Sequence, residues 1–228
     1  MKHLKSNSSL GPALNRRSLA GAACALYVLA ASLDGCGSAR AQVVPILTEQ
    51  SAPAVEYAIQ DDSVSNRPIL GTETALLAGT VPYLPRGAWL TILKVDSDCE
   101  QVRSAPAPIS SDDLIEETAP LLAPVSQTGG TRLDIALSNV AKRAKACSGR
   151  VVEFIASDFF LDGVPPDGRS AISEAARCLA QNARVRAVYL IGPSPKSGAD
   201  QALLAPLGGK LHPLNLSAVD PRGIAEGL

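Results

Sequence analysis

Histidine is nearly absent from this 228-residue sequence, which contains only two. His3 lies in a basic N-terminal leader, so His212 is the one histidine available to a folded domain. A zinc site with several histidine ligands is therefore excluded, and a Ser-His-Asp triad would depend on His212 alone. Because His212 stands beside Pro213 near the end of the sequence, we expect a surface or edge-strand residue.

Enzyme motifs and surplus positive charge are also missing. The sequence contains no Gly-x-Ser-x-Gly, no Gly-Lys-Ser/Thr and no Gly-x-Gly-x-x-Gly segment.

Lysine and arginine together number 21, against 22 aspartates and glutamates. Five basic residues and one acidic residue precede Gln42, which leaves 16 against 21, a net charge of -5 for the remainder. This balance argues against a nucleic-acid-binding protein, which carries clustered positive charge.

The one long apolar run lies near the N-terminus. Residues 1–18 contain four lysines and arginines and no acidic residue, and residues 19–33 are all apolar or small. An apolar run of about 15 residues after a basic leader is typical of a secretory signal, whereas a membrane-spanning helix needs roughly 20. We therefore predict export, with residues 1–41 as the signal segment; an uncleaved membrane anchor is the alternative.

Two processing routes compete in this leader. Ala39-Arg40-Ala41 has the small-x-small form of a signal-peptidase site, and cleavage there leaves Gln42 first. Residues 33–36 resemble a lipoprotein box, in which Cys36 would carry the lipid. Residues 16–19 also resemble a twin-arginine signal. Each route leads to the periplasm or cell envelope, with membrane attachment only through the signal segment or the lipid.

The three cysteines beyond the leader are Cys99, Cys147 and Cys178, and their spacing is not that of a metal site. In an oxidising compartment one pair of them could form a disulfide bond and leave a free thiol. The alternative is three buried small side chains.

Short apolar runs and amphipathic segments alternate along the rest of the sequence. Strands are predicted at 54–59, 88–95, 151–156 and 185–191, with a short edge strand at 211–216. Helices are predicted at 68–78, 110–117, 133–146, 170–181 and 200–207. Such alternation predicts an α/β fold with one doubly wound, mostly parallel sheet over residues 50–216 and helices on both faces. Residues 104–111 are expected to form a loop and 217–228 a C-terminal tail.

Oxygen-bearing side chains occur where the predicted strands end, which is where ligands bind in such sheets. Asp61, Ser63 and Ser65 alternate along the loop that leaves the first strand. Thr131 follows two glycines just before a helix, and Asp158 follows the third apolar strand. Two carboxylates and three hydroxyls form an all-oxygen set that suits Mg²⁺, Mn²⁺ or Ca²⁺.

This series, Asp61-x-Ser63-x-Ser65 followed by Gly-Gly-Thr131 and then Asp158, resembles the metal-ion-dependent adhesion site of von Willebrand factor type A domains. The resemblance covers residues 50–216 and implies their Rossmann-like fold. It implies that Ser63 and Ser65 ligate the metal, and that Thr131 binds it directly or through water. Asp61 and Asp158 would hold coordinating waters. It also implies an open coordination position, which an acidic side chain of a protein partner fills without catalysis.

The sequence departs from this family at two points. Phe159-Phe160-Leu161 follows Asp158 where a small or glycine-bearing turn is usual, so Asp162 is a rival for that ligand position. The two phenylalanines either form an exposed surface for a partner or pack inside the loop. Residues 66–68, Asn-Arg-Pro, are also unusual after the serines, which suggests a late start for the first helix.

Three alternatives stand beside the metal site. The segment 61–63 could be an acidic turn that caps the next helix without a metal. A receiver-type phosphoacceptor domain would use Asp61 with Lys196, and a haloacid-dehalogenase-like phosphatase would also use Asp61. The export signal argues against the receiver, and Ser63 stands where the phosphatase needs a second acid.

The sequence therefore predicts a non-catalytic protein-binding module of the adhesion or adaptor type, located in the cell envelope. Its binding would depend on Mg²⁺, Mn²⁺ or Ca²⁺. Asp62 is expected to point away from the metal.

Overall fold

Six strands form one sheet in the order β3-β2-β1-β4-β5-β6. Their bounds are β1 Ala54–Asp61, β2 Trp89–Val95, β3 Cys99–Pro106, β4 Arg150–Ala156, β5 Val185–Ile191 and β6 Leu211–Leu214. All neighbouring strands run parallel except β2 and β3, which are antiparallel. The predicted α/β fold with a mostly parallel sheet is confirmed.

The structure is a computed structural model that describes residues 47–107, 130–161 and 163–214. The chain divides into two compact units, Met1–Pro45 and Ile46–Leu228, and the described residues all belong to the second. Several predictions lie outside the described residues: the signal segment, lipidation of Cys36, the helix at 110–117, the alternative ligand Asp162 and the tail.

Helices cover both faces of the sheet. They are α1 Arg67–Thr80, α2 Leu133–Ala146, α3 Pro166–Gln181 and the short α4 Gly198–Gln201, which continues into a 3-10 helix at Ala202–Lys210. Leu76 and Leu77 of α1 pack on one face, whereas α2 and α3 share a larger apolar core on the other. Since both faces are covered, β1 is buried along all eight residues, which explains its nearly continuous apolar sequence.

No helix in the described parts of the chain is long and apolar enough to cross a lipid bilayer.

Strand β3 was not predicted, and the expected loop at 104–111 is wrong for residues 104–106, which end this strand. No residue of β3 is fully buried, so its sequence lacks the apolar run that marks the inner strands. It forms because β2 offers a free edge, and Ser104 accepts a hydrogen bond from the Trp89 indole at 2.9 Å.

Smaller corrections concern helix ends and cysteines. Helix α1 begins at Arg67, directly after Asn66, so the expected late start is wrong. Helix α3 begins at Pro166, four residues before the prediction, because a proline in the first turn has no N–H and so needs no hydrogen-bond acceptor.

No disulfide bond joins the three described cysteines: Cys147 is buried, Cys99 is half-buried and Cys178 is exposed. Exposed His212 lies on edge strand β6, as predicted.

Candidate metal centre

The two predicted aspartates lie at the carboxyl ends of neighbouring strands. Asp61 is the last residue of β1, and Asp158 comes two residues after the end of β4. Because β1 and β4 pair in parallel, both ends lie at the same edge of the sheet. Asp61 is 0 % exposed and Asp158 is 6 % exposed. Two carboxylates therefore meet beneath the surface at this edge.

Hydrogen bonds fix the Asp61 carboxylate. Ser157, which directly follows β4, donates its hydroxyl to Asp61 Oδ2 at 2.5 Å, and the Ser63 amide donates to Oδ1 at 2.9 Å. Burial raises the pKa of Asp61 to about 6; these hydrogen bonds oppose the rise, and the nearby charge of Asp158 adds to it. Each carboxylate oxygen keeps a second lone pair for a further partner.

The two predicted serines are paired with each other. Ser63 Oγ lies 3.2 Å from Ser65 Oγ, and either hydroxyl can be the donor. Ser63 is buried whereas Ser65 is exposed, so the pair leads from the buried carboxylates to the surface. Val64 between them is 50 % exposed and turns its side chain outward. The alternation that the sequence suggested is therefore present.

Asp62 belongs to a separate contact. Its carboxylate lies 3.4 Å from the Lys94 ammonium of β2, and its amide donates to the Val95 carbonyl at 2.7 Å. This ion pair turns Asp62 towards β2, in agreement with its omission from the candidate ligands.

Thr131 is held next to the other loops by its backbone neighbours. The Arg132 amide donates to the Asp96 carbonyl at 2.8 Å, which ties this segment to the end of β2. Gly130, just before Thr131, has φ +125°. A Cβ placed on Gly163 would lie 3.9 Å from the Cα of Gly130, so the backbones of these two segments lie close together. Thr131 itself is 2 % exposed. Among the described residues, however, no hydrogen bond joins its hydroxyl to the predicted aspartates and serines.

Hydrogen bonds and packing hold the loop after Asp158 in place. Phe159 is fully buried with φ 58°, and its amide donates to Ser157 Oγ at 2.9 Å. The Phe160 amide donates to Asp158 Oδ1 at 3.1 Å. The Asp158 carbonyl accepts from the Ser194 amide at 3.0 Å and from the Ser197 hydroxyl at 2.9 Å. Phe159 thus packs inside the loop, and the idea of an exposed phenylalanine pair is wrong for this residue.

Asn66, fully buried, links the two aspartate-bearing strand ends. Its side-chain oxygen accepts a hydrogen bond from the Asp158 amide at 2.7 Å, and its nitrogen donates to the Asp61 carbonyl at 2.9 Å. The same nitrogen donates to Glu73 Oε2 of α1 at 2.5 Å. Asn66 therefore holds β1, β4 and α1 together beside the two carboxylates.

The charge at this edge is unbalanced. In the described parts of the chain, neither Asp61 nor Asp158 forms an ion pair with a cationic side chain. Within 47–107, 130–161 and 163–214, no group of three or more His, Cys, Asp or Glu side chains is arranged to hold a metal. The candidate centre has two carboxylates and takes its other oxygens from hydroxyl groups. This donor chemistry fits a hard divalent cation, which would also compensate the two negative charges.

Solved structures share this arrangement of strands and helices. A von Willebrand factor type A protein from Catenulispora acidiphila matches 77 % of this chain and 41 % of that chain, with a TM-score of 0.53 and 18 % identity. The pilus adhesin SpaC from Lactobacillus rhamnosus GG matches 78 % of this chain and 30 % of that chain, with a TM-score of 0.55 and 10 % identity. This is the von Willebrand factor type A fold. The chain spans less than half the length of these two proteins.

A third protein with the type A fold carries a metal. The manganese-loaded TRAP protein of Plasmodium vivax matches 79 % of this chain and 72 % of that chain, with a TM-score of 0.52 and 15 % identity. No protein-family model and no curated protein matches the sequence. At identities of 10 to 18 % these structures establish the fold, while any metal or partner of this chain must be argued from its own residues.

Three residues of this edge were not assigned from the sequence: Ser157, Asn66 and Glu73. Ser157 carries a local signal, since it stands between an apolar strand and the predicted ligand Asp158. Glu73 also carries one, because it lies four residues before Leu77 on the buried side of α1. Asn66 has no such signal, because the partner that joins it to β4, the Asp158 amide, lies 92 residues away in the sequence.

Proposed function

We propose that this chain is a non-catalytic protein-binding module of the cell envelope. A divalent cation, Mg²⁺ or Mn²⁺ or Ca²⁺, would be held at the carboxyl ends of β1 and β4. A protein partner would present an acidic side chain to that cation. Export to the periplasm or envelope, by a cleaved signal segment or a lipid on Cys36, is part of the same proposal.

One observation carries the proposal. Asp61 and Asp158 lie together at the edge of the sheet, where no cationic side chain among the described residues pairs with them, and the Ser63 and Ser65 hydroxyls lead from them to the surface. Such a set would hold a cation through few anionic ligands, because the serines are neutral. A cation held in this way keeps much of its charge and therefore attracts an external carboxylate. Thr131 would complete the set.

The enzymatic alternatives lack groups that their chemistry needs. A phosphatase of this kind needs a general acid/base two residues after its nucleophile, and the neutral hydroxyl of Ser63 occupies that position. Lys196, which the receiver alternative requires, lies exposed in a short 3-10 helix at Pro195–Ser197. Hydrolysis of a phosphate ester that Asp61→Asn abolishes would revive the phosphatase alternative.

Metal binding is tested by calorimetry on the chain. We expect Mg²⁺ or Mn²⁺ to bind with one-to-one stoichiometry, and Asp61→Ala or Ser63→Ala to remove the heat of binding. Asp62→Ala is the matched control, because Asp62 neighbours both residues but pairs with Lys94. Equal binding by the wild type and the Asp61→Ala and Ser63→Ala variants would contradict the proposal.

Recognition of a partner is tested separately. Immobilised wild-type chain is incubated with envelope extract in Mg²⁺ or in chelator, beside the Asp61→Ala variant. We expect a partner that is retained by the wild type in Mg²⁺ and lost in the other two conditions. A partner retained in all three would bind elsewhere on the surface.

A further inference from the structure

Glu73 is a buried carboxyl that the proposed cation set does not include. It lies on the inner side of α1 with 0 % exposure and accepts a hydrogen bond from Asn66 on Oε2. Its other oxygen, Oε1, has no hydrogen-bond partner among the residues that the structure describes. A side chain on Gly192, after β5, would come within 2.5 Å of Oε1, so the glycine leaves room for this carboxyl. Burial of a carboxyl oxygen without a hydrogen-bond partner costs free energy of folding, so the presence of Glu73 here needs an explanation.

The other two hydrogen bonds of the Asn66 side chain explain why Glu73 is buried here. An amide side chain offers two donors and one acceptor group, and Asn66 directs them to Glu73, the Asp61 carbonyl and the Asp158 amide. The bond to Glu73 fixes the orientation of the amide plane. That orientation in turn fixes the backbone of both aspartates at the point where each strand ends.

We propose that Glu73 is a positioning residue of the candidate metal centre: through Asn66 it sets the relative position of the Asp61 and Asp158 strand ends. This inference rests on the proposed metal function. It adds that α1, which contributes no ligand, controls how well the two carboxylates are arranged for a cation. Supporting residues of this kind typically change metal affinity by about 10- to 100-fold when they are replaced.

The β1–α1 interface supplies a matched control. Glu56 of β1 faces the far end of α1, is 1 % exposed and accepts a hydrogen bond from the Thr80 hydroxyl at 3.0 Å. Like Glu73, it has one oxygen without a partner in the described part of the chain, and burial raises its pKa to about 8. Glu56 therefore matches Glu73 in burial and chemistry but makes no contact with Asn66 or the two aspartates.

The first experiment compares Mn²⁺ affinity in full-length variants. Glu73→Leu and Asn66→Leu should each weaken binding about tenfold or more. Glu73→Gln keeps an acceptor for Asn66 and should stay within about threefold of the wild type, as should Glu56→Leu and Glu56→Gln. Unchanged affinity in Glu73→Leu, or an equal loss in Glu56→Leu, would overturn the inference.

A second readout tests whether Glu73 is coupled to the proposed cation. The charges of Asp61 and Asp158 face Glu73 and add to the effect of burial on its pKa, while the Asn66 bond opposes it. A dication held at the proposed centre would offset the negative charges of Asp61 and Asp158, so Mn²⁺ binding at pH 7.5 should lower the pKa of Glu73 and release a proton from it. Calorimetry in buffers of different ionisation enthalpy measures this release. It should vanish in Glu73→Gln and persist in Glu56→Gln, and the opposite pattern would contradict the inference.

Hydrogen exchange of the Asp158 amide tests the same link without a metal. This amide donates to Asn66, so we expect faster exchange in Glu73→Leu and Asn66→Leu and an unchanged rate in Glu56→Leu. If the wild type bound no cation but exchange followed this pattern, the metal function would fail while the link from Glu73 to the strand ends would stand. An unchanged rate in Glu73→Leu would overturn the link itself.

Discussion

Single side chains at the sheet edge have more than one partner. The Ser157 hydroxyl donates to Asp61 Oδ2 and accepts from the Phe159 amide, so it connects the end of β1 with the loop after β4. The geometry of the Asp61 carboxylate therefore depends on a neighbour 96 residues away in the sequence. Removal of this hydroxyl leaves the buried carboxylate free to turn and the Phe159 amide without an acceptor.

We expect Ser157→Ala to weaken Mn²⁺ binding about tenfold, because the orientation of Asp61 is lost. Calorimetry measures the affinity, and circular dichroism checks the fold. Ser157→Thr keeps the hydroxyl and is expected to retain binding. An affinity in Ser157→Ala equal to that of the wild type would show that Asp61 needs no such support.

Glu153 shows a second residue-scale effect, on stability. It lies in the middle of β4 at 0 % exposure, and within the described ranges neither of its carboxyl oxygens has a hydrogen-bond partner. Burial raises its pKa to about 8 from an ordinary value of 4.5. Since burial penalises the ionised form and the folded-state pKa lies above the unfolded one, Glu153 contributes more to stability when it is neutral, at low pH, than when it is ionised. This contribution is lost as the pH rises from 4.5 through about 8.

Urea unfolding between pH 5 and 8 tests this effect. As the pH rises, we expect the free energy of unfolding to fall less steeply in Glu153→Gln than in the wild type. The two slopes should differ by about 1.4 kcal/mol per pH unit, because one titrating group has been removed. Glu100→Gln is the control, because Glu100 is exposed on β3. Identical slopes for the wild type and Glu153→Gln would mean that Glu153 is ionised inside the fold.

At the scale of elements, the turn between α2 and β4 packs tightly against the segment before β1. A Cβ on Gly149 would lie 2.1 Å from the Ala52 carbonyl oxygen, which is backbone and cannot rotate away. The Ser148 amide donates to the Gln50 carbonyl at 2.9 Å in the same place. Gly149 is therefore required by the approach of two backbones, whereas Gly71 of α1 has open space around it.

Gly149→Ala is expected to destabilise the fold by about 2 kcal/mol or more, because the backbones must move apart. Gly71→Ala should stabilise it by roughly 0.5 to 1 kcal/mol, since alanine favours the helix. Thermal unfolding followed by the fluorescence of Trp89, the single tryptophan, measures both. A stable Gly149→Ala variant would mean that this turn is looser than the contacts indicate.

The elements also show where sequence patterns succeed and fail. Inner strands such as β1 and β4 were found because burial on both faces demands apolar runs. Strand β3 was missed because its half-exposed residues carry no such run, and pairing with β2 decides its structure. Asp61 and Asp158 could be placed from strand ends alone. The contacts of Asn66 and Ser157 could not, because hydrogen bonds across almost a hundred residues leave no local pattern.

For the whole molecule, the cysteines determine how the fold responds to redox conditions. Cys99, Cys147 and Cys178 are all free, and only Cys178 of these is exposed. Cys147 lies within the core, with its sulfur 3.3 Å from the Tyr57 hydroxyl. The described part of the fold is therefore held by packing and hydrogen bonds, with no covalent crosslink among these three cysteines.

In the chain from Gln42 onward, one thiol should react rapidly with a thiol reagent in the native state, and three after unfolding. Cys178→Ser should remove the rapid reaction, whereas Cys147→Ser should leave it unchanged. Because no disulfide is broken, a reducing agent should not shift the midpoint of thermal unfolding. A fall of that midpoint in reductant would reveal a crosslink.

The strand order affects how the protein folds. Strand β1 pairs with β2 and with β4, and β4 begins at Arg150, almost a hundred residues after β1 starts. Pairing over such separations is slow, because a long loop must close before the contacts form. A growing chain that has passed Thr131 but not β4 would carry most of the candidate ligands without a centre. If the proposed metal function holds, cation affinity would therefore appear only after β4 has paired with β1, and metal uptake would mark that step of folding.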